Sequence, residues 1–297
     1  MKEKSSKMNN ERIAVINNIK EALKLGDSFC KVEIGDPVIT PEDRKRVILP
    51  FDCQRKRFIN KIKRNIAVLI ANTVTSRLNR NTEIEGLENA LSVKGGAIVT
   101  CNHFNPIDST VVRHLLKKCG RERGFHIVVQ ERNIFMKGIF GFLMRNCNTL
   151  PVSESPSYMA KNLKLAMGKI LNEGKTVLIY PEQEMWFNYK RPRDMRIGAY
   201  YYAKEFGVPI IPCFVEMRET DGADRDGFKN IKHIIHVLPP IYPAGEGDTR
   251  AIYMNMKETD MAAKRSCYEA VYGVSPDLPF DASRDIAGYS EKGRILE

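Results

Sequence analysis

The segment Cys101-Asn-His-Phe-Asn-Pro-Ile-Asp108 sets a histidine and an aspartate five positions apart, directly after the apolar run Ala97-Ile-Val-Thr100. A strand that delivers His103 at its end, followed by a turn and a helix start at Asn105-Pro106, brings Asp108 back toward the imidazole. The pair is then a base with its orienter. A carboxylate bonded to one ring nitrogen fixes the tautomer and strengthens the other nitrogen as a proton acceptor for a substrate hydroxyl. No serine nucleophile is needed. The same residues admit a plainer use, in which Asn105 or Asp108 caps a helix and His103 is structural.

Two further segments must position such a pair. Thr176-Val-Leu-Ile-Tyr-Pro-Glu-Gln183 and Val208-Pro-Ile-Ile-Pro-Cys-Phe-Val215 are short apolar, β-branched runs ending in polar or proline residues. That is the pattern of buried strands delivering side chains to one edge of a sheet. Glu182 is then a second acid at a strand end.

In these three blocks the chain resembles the glycerolipid acyltransferase superfamily, the enzymes that acylate glycerol 3-phosphate and lysophosphatidic acid. The family's Asn-His, four residues and Asp is similar to Asn102-His103 through Asp108; its Phe-Pro-Glu-Gly block is similar to Tyr180-Pro181-Glu182-Gln183; its Val-Pro-Ile-Ile-Pro block matches 208–212. The resemblance spans roughly residues 82–245. It implies an O-acyltransferase that takes its acyl group from a thioester, acyl-CoA or acyl carrier protein, needs no other cofactor or metal, and delivers it to lysophosphatidic acid or a related lysophospholipid acceptor. By the same resemblance His103 is the general base, Asp108 orients it, and Glu182 organises acceptor binding, while Asn102 and nearby backbone amides steady the site. An acyl-thioester hydrolase using the same pair, or a non-catalytic membrane-binding member of the fold, are the alternatives.

The chain departs from the family pattern twice. Where the family continues Gly-Thr-Arg, this chain reads Gln183-Glu184-Met185, and Ser153 stands where an arginine follows the strand Asn148-Thr-Leu-Pro-Val. Lys190, Arg191, Arg193 and Arg196 form a dense basic group soon after Glu182 and are candidate replacements, since a guanidinium is a bidentate fork suited to phosphate oxygens. The competing reading is a solvated basic loop.

With 297 residues, 43% hydrophobic and 28% charged, the chain has the composition of an ordinary globular protein, without repeats or low complexity. Its seven cysteines make no Cys-x-x-Cys pair and no zinc or disulfide framework, so they read as free thiols in a reducing, cytoplasmic setting. Cys101, two residues before His103, is either a thiolate nucleophile or core material. The basic start Met-Lys-Glu-Lys is followed by no apolar signal region. A net charge of +11 asks for an anionic partner, and Arg44 to Arg64 carry much of it. Next, Ile59, Ile62, Ile66, Ile70, Val74 and Leu78 recur every three or four residues, giving a basic amphipathic helix over about 56–80. Such a helix either lies peripherally in an anionic membrane surface or packs on the domain with a solvated back. Nucleic acid is disfavoured, because no aromatic stacking platform accompanies the charge.

The expected architecture is α/β: a mostly parallel mixed sheet flanked by helices, with an N-terminal helical appendage. Residues 1–55 form the appendage, 56–81 the amphipathic helix, 82–275 the catalytic domain and 276–297 an irregular tail. Strands are expected near 96–101, 126–130, 148–152, 176–180, 209–215 and 233–238, and helices near 10–25, 106–119, 157–173, 197–206 and 254–272. The last should pack through Met254, Met261 and Tyr268. Gly174-Lys-Thr176 leads into a strand and reads as a turn, and His233 and His236, three apart on a strand, point to opposite faces and exclude a metal pair.

Overall fold

A computed structural model describes residues 2–35, 37–48, 58–224, 226–245 and 248–290. The helices α1 (Lys2–Lys24), α2 (Pro41–Ile48) and α3 (Phe58–Leu78) precede the sheet. Seven strands follow: β1 (Glu83–Glu85), β2 (Ala97–Thr100), β3 (Phe125–Gln130), β4 (Thr149–Val152), β5 (Thr176–Ile179), β6 (Ile210–Ala223) and β7 (Lys229–Val237). They form one sheet in the order β1-β7-β6-β2-β5-β3-β4, parallel at every pairing except β6 with β7. This is the mostly parallel mixed sheet that the strand pattern anticipates. Between the strands lie α4 (Leu87–Ser92), α5 (Ser109–Lys118), α6 (Gly138–Asn146), α7 (Lys164–Asn172) and α8 (Gly198–Phe206); α9 (Thr249–Tyr272) and α10 (Ala282–Asp285) close the chain.

The central strands are buried on both faces, which is why they read as unbroken apolar runs. All four residues of β2 are buried. Ala97 and Val99 join a core with Val112, Leu115 and Leu116 of α5, while Ile98 on the other face joins one with Met167, Ile170 and Leu171 of α7 and Tyr200 of α8. The register sets Thr100 beside Ile179 on one flank and Pro212 on the other, so the chain leaves β2 and β5 at one common edge while β6 runs on past it. Cys101 to Asp108 and Tyr180 to Gln183 emerge there together.

Three differences from the expected elements have clear causes. The helix α6 is not anticipated because Gly138 and Gly141 punctuate it, yet a side chain at 141 would meet the Met136 carbonyl oxygen at 1.7 Å, so glycine is what lets the chain pass. The strand β6 runs to Ala223, eight residues past the expected end, as a polar extension of its antiparallel ladder with β7. The tail after Ser275 is not irregular throughout: α10 leads into Ile286, which bridges Tyr189.

The long helix α9 packs through Met256, Asp260, Lys264 and Tyr268. Of the expected Met254, Met261 and Tyr268, Tyr268 is buried and Met261 packs partly buried on the core, while two charges, Asp260 and Lys264, occupy the centre of the buried face. Lys264 and Asp260 are fully buried and paired at 2.9 Å, Thr100 and Tyr200 donate to Asp260 Oδ2 at 2.6 and 2.7 Å, and Lys264 donates to Thr100 at 2.9 Å. Four polar groups bond to one another and tie α9 and α8 to the end of β2. Removing one charge strands the other, so Lys264→Ala is expected to lower the unfolding free energy by about 3–5 kcal/mol in urea titration, whereas the double change Lys264→Met with Asp260→Leu should recover part of that loss.

Candidate active site

His103 stands two residues beyond the buried Cys101, where β2 has ended and the chain turns toward α5. Its Nδ1 lies 2.7 Å from Asp108 Oδ2. Asp108 occupies the N-cap position of α5, yet its side chain caps none of that helix's amides. It turns back instead: Oδ2 also accepts from the backbone N–H of Phe104 at 3.1 Å, and Oδ1 from the Tyr180 hydroxyl at 2.6 Å. The helix starts at Ser109, three residues later than Pro106 suggests, and Asn105 to Asp108 form the intervening turn. Asp108 is buried, whereas the His103 side chain keeps about a fifth of its surface open (21%). The Tyr180 ring stacks on the imidazole, with centroids 4.0 Å apart and planes 13° apart.

The loop after β5 closes on this turn. Trp186 N–H donates to the His103 carbonyl at 3.0 Å, and Asn188 N–H to the Phe104 carbonyl at 2.8 Å. Glu182 is only 2% exposed and spends both oxygens on the frame: Oε2 accepts the His103 N–H at 3.1 Å and pairs with the Arg193 guanidinium at 3.1 Å, while Oε1 accepts the Arg193 N–H at 3.1 Å. Its carboxylate thus faces protein on each side. Asn102 is likewise turned inward, with its amide spanning Val215: Nδ2 donates to the carbonyl at 3.1 Å and Oδ1 accepts the N–H at 2.8 Å. The side chain continues the β2–β6 ladder past the end of β2.

The basic group divides. Arg193 stacks on Trp186 and reaches the carbonyls of Ser28 and Glu184. Arg191 is buried against Asp285 and the carbonyls of Pro276, Leu278 and Pro279. Lys190 is also buried, 3.8 Å from Glu219, and burial holds its ammonium below the ordinary lysine range. These three are neither a solvated loop nor an open phosphate cradle, because each is engaged inside the protein. Arg196 alone of the four is exposed; it lies over the Phe29 ring and donates to Gln183 Oε1 at 3.1 Å. Gln183, standing where the related block has glycine, has φ of +62°, a left-handed backbone that costs a non-glycine residue of order 1 kcal/mol or more.

Several contributors have no signal in the sequence. The N-terminal appendage, whose role its composition leaves blank, braces the site loop: the Cys30 carbonyl accepts the Trp186 indole N–H at 3.0 Å, and Val15, Ile16 and Ile19 of α1, with Val32 after it, share a core with Trp186 and Tyr189. Farther along, Arg44 pairs with Glu131 just after β3 and Glu154 just after β4, so this segment crosses the same sheet edge. His233 of β7 lies beside Phe104; burial pushes its imidazole down and Asp108 pulls it partly back. Burial also pushes the Cys101 thiol well up, which suits core material and not a thiolate. Among the described residues no group of histidine, cysteine and carboxylate side chains is arranged to hold a metal ion.

Residues 81–216, which contain this turn, the Glu182 loop and Arg193, match the family model described as Acyltransferase. The structure of the chain is similar to that of the 1-acyl-sn-glycerophosphate (LPA) acyltransferase PlsC from Thermotoga maritima, at 15% identity and a TM-score of 0.49, with 78% of this chain and 88% of that one covered. No curated protein matches the sequence. Within the matched stretch, Arg193→Ala should leave Glu182 buried without its counter-ion and lower the unfolding free energy by about 3–5 kcal/mol. Arg196→Ala, at the surface, should cost about 1 kcal/mol or less. Denaturant titration of both variants checks the contrast.

Proposed function

We propose that the protein transfers a fatty acyl group from an acyl thioester, acyl-CoA or acyl carrier protein, to a hydroxyl of lysophosphatidic acid or a related lysophospholipid. The single observation that carries the reading is the His103–Asp108 contact at 2.7 Å in a domain of the acyltransferase family. With Nδ1 committed to Asp108, Nε2 is the nitrogen left to receive the acceptor's proton. The acceptor oxygen then attacks the thioester carbonyl, the imidazolium is supported by Asp108, and collapse of the tetrahedral intermediate expels the thiol, which takes a proton from His103. Base catalysis contributes about 10²–10⁴-fold, and alignment of the two substrates much of the rest. Glu182 acts on the acceptor side through the loop it anchors. Arg196 is the basic residue best exposed to meet an acceptor phosphate, and Lys190, Arg191 and Arg193 shape the loop behind it.

His103→Ala should abolish acyl transfer in a folded protein, and Asp108→Asn should lower kcat by about 10³–10⁴-fold because it keeps the shape and loses the charge. Cys101→Ser should remain active. The assay is product identification by mass spectrometry with acyl-CoA or acyl carrier protein and a panel of glycerol 3-phosphate, lysophosphatidic acid and other lysolipids. Near-normal turnover by His103→Ala rejects the mechanism, and free fatty acid as the sole product with every acceptor favours a thioesterase.

The same reading places the site against an anionic membrane. No helix among the described residues is long and apolar enough to cross one. On α3, however, the buried residues are Ala67 and Thr75, with Asn79 just past its end, while Ile62, Ile66 and Leu69 are exposed (43, 46 and 67%). The apolar stripe is therefore not what packs the helix on the domain. Lys61, Lys63, Arg64 and Arg77 accompany it, and each basic group near anionic lipid adds about 1 kcal/mol, screened by salt. Of the basic run that precedes this helix, residues 49–57 lie outside the described residues. Replacing Ile62 and Ile66 with aspartate should reduce co-sedimentation with anionic vesicles and depress activity on embedded acceptor more than on monomeric acceptor. Unchanged vesicle binding by the folded double variant excludes the helix as the anchor.

A further inference from the structure

We propose that Tyr180 is a positioning residue for the base: its hydroxyl shares Asp108 with His103 and thereby sets the pH at which His103 becomes free to accept a proton. The consequence for turnover rests on the acyl-transfer reading; the effect on His103 does not. Three observations carry it. The hydroxyl donates to Asp108 Oδ1 at 2.6 Å, the oxygen opposite the one that holds His103. The ring of the same residue lies on the imidazole at 4.0 Å, nearly parallel. Tyr180 directly follows β5, whose Ile179 is in register with Thr100, so the two strand ends hold the stacked pair side by side.

A donor on Oδ1 draws negative charge away from the carboxylate. The imidazolium form of His103 then gains less from Asp108 than it would from a bare carboxylate, and the ring gives up its proton at lower pH. Burial and the neighbouring Asp108 push the Tyr180 phenol well above its ordinary range, so it remains a donor wherever the enzyme works. The phenylalanine of the related block would stack equally well and donate nothing. The hydroxyl is thus a feature of this chain's own block.

The other charged or titratable groups around His103 are Glu182 at its backbone N–H, Arg193 paired to Glu182, the buried Cys101 and, on β7, His233 beside Phe104. All persist in Tyr180→Phe, so that substitution isolates the hydroxyl. The test is an NMR pH titration of the His103 ring in the full chain, assigned with His103→Gln, for the parent, Tyr180→Phe, Asp108→Asn and the double variant. Tyr180→Phe should raise the titration midpoint by about 0.5–1 pH unit, and in the Asp108→Asn background it should move it no further. The acid limb of kcat/KM should shift the same way. A ring-fluorinated tyrosine placed at 180, a stronger donor on an unchanged ring, should lower the midpoint, which covers the case of a poorly folding phenylalanine variant. A midpoint that Tyr180→Phe leaves unmoved or lowers, or an equal shift with and without Asp108, overturns the assignment. Because the titration needs no substrate, a chain that transfers no acyl group still tests Tyr180, and acyl transfer without the shift rejects Tyr180 alone.

Discussion

A single buried carboxylate, Glu182, holds together the parts that make the candidate site. It accepts the His103 N–H from the turn after β2, and the N–H and guanidinium of Arg193 from the loop after β5. Arg193 passes the constraint on, stacking on Trp186 and bonding Ser28 of the N-terminal segment. Burying an ion pair brings little net stability, because desolvation offsets most of the attraction. What it supplies here is placement. A charge with every partner fixed has no second arrangement of comparable energy, so the turn carrying His103 and the loop facing it are held in one register.

That placement leaves the reactive pair with an asymmetric setting. Asp108 is buried and fully engaged, by an imidazole, a backbone N–H and a phenol, while His103 keeps an open edge. The proposed role as base needs a dry orienter and a wet free nitrogen. The sheet provides both, since β2 and β5 end at one level, at Thr100 and Ile179, and the residues beyond them reach the rim. On the same molecule α3 turns Ile62, Ile66 and Leu69 outward.

Much of this was legible from residue types. The His103–Asp108 contact needs only a five-residue turn, and a strand buried on both faces announces itself as an apolar run, as Thr176 to Ile179 does. Charges were the poorer guide. Arg191 and Arg193 read as a phosphate-binding group or a solvated basic loop, because Asp285, which pairs with Arg191, lies 94 residues away and nothing local shows that Arg193 turns inward onto Glu182. Asp260 and Lys264 look like an exposed i,i+4 pair of α9 until Thr100 and Tyr200 are brought against them. Glu182 had a legible address, but its inward turn was not: a strand-end acid can face substrate or backbone, and only the fold of the following loop decides. Tyr180 read as an aromatic strand residue, and nothing local reveals that its hydroxyl meets an aspartate 72 positions earlier.

The most direct measurement is a rapid-quench single turnover of the parent protein with an acyl thioester, with and without a lysolipid hydroxyl acceptor, following thiol release, lipid products and the intact protein mass together. Direct transfer through His103 requires thiol release to depend on the acceptor, the acyl group to appear as the acceptor's ester, and the protein mass to stay unchanged throughout. Thiol released at the same rate without acceptor, with free fatty acid as product, or a protein heavier by one acyl group during turnover, would show that the site does different chemistry.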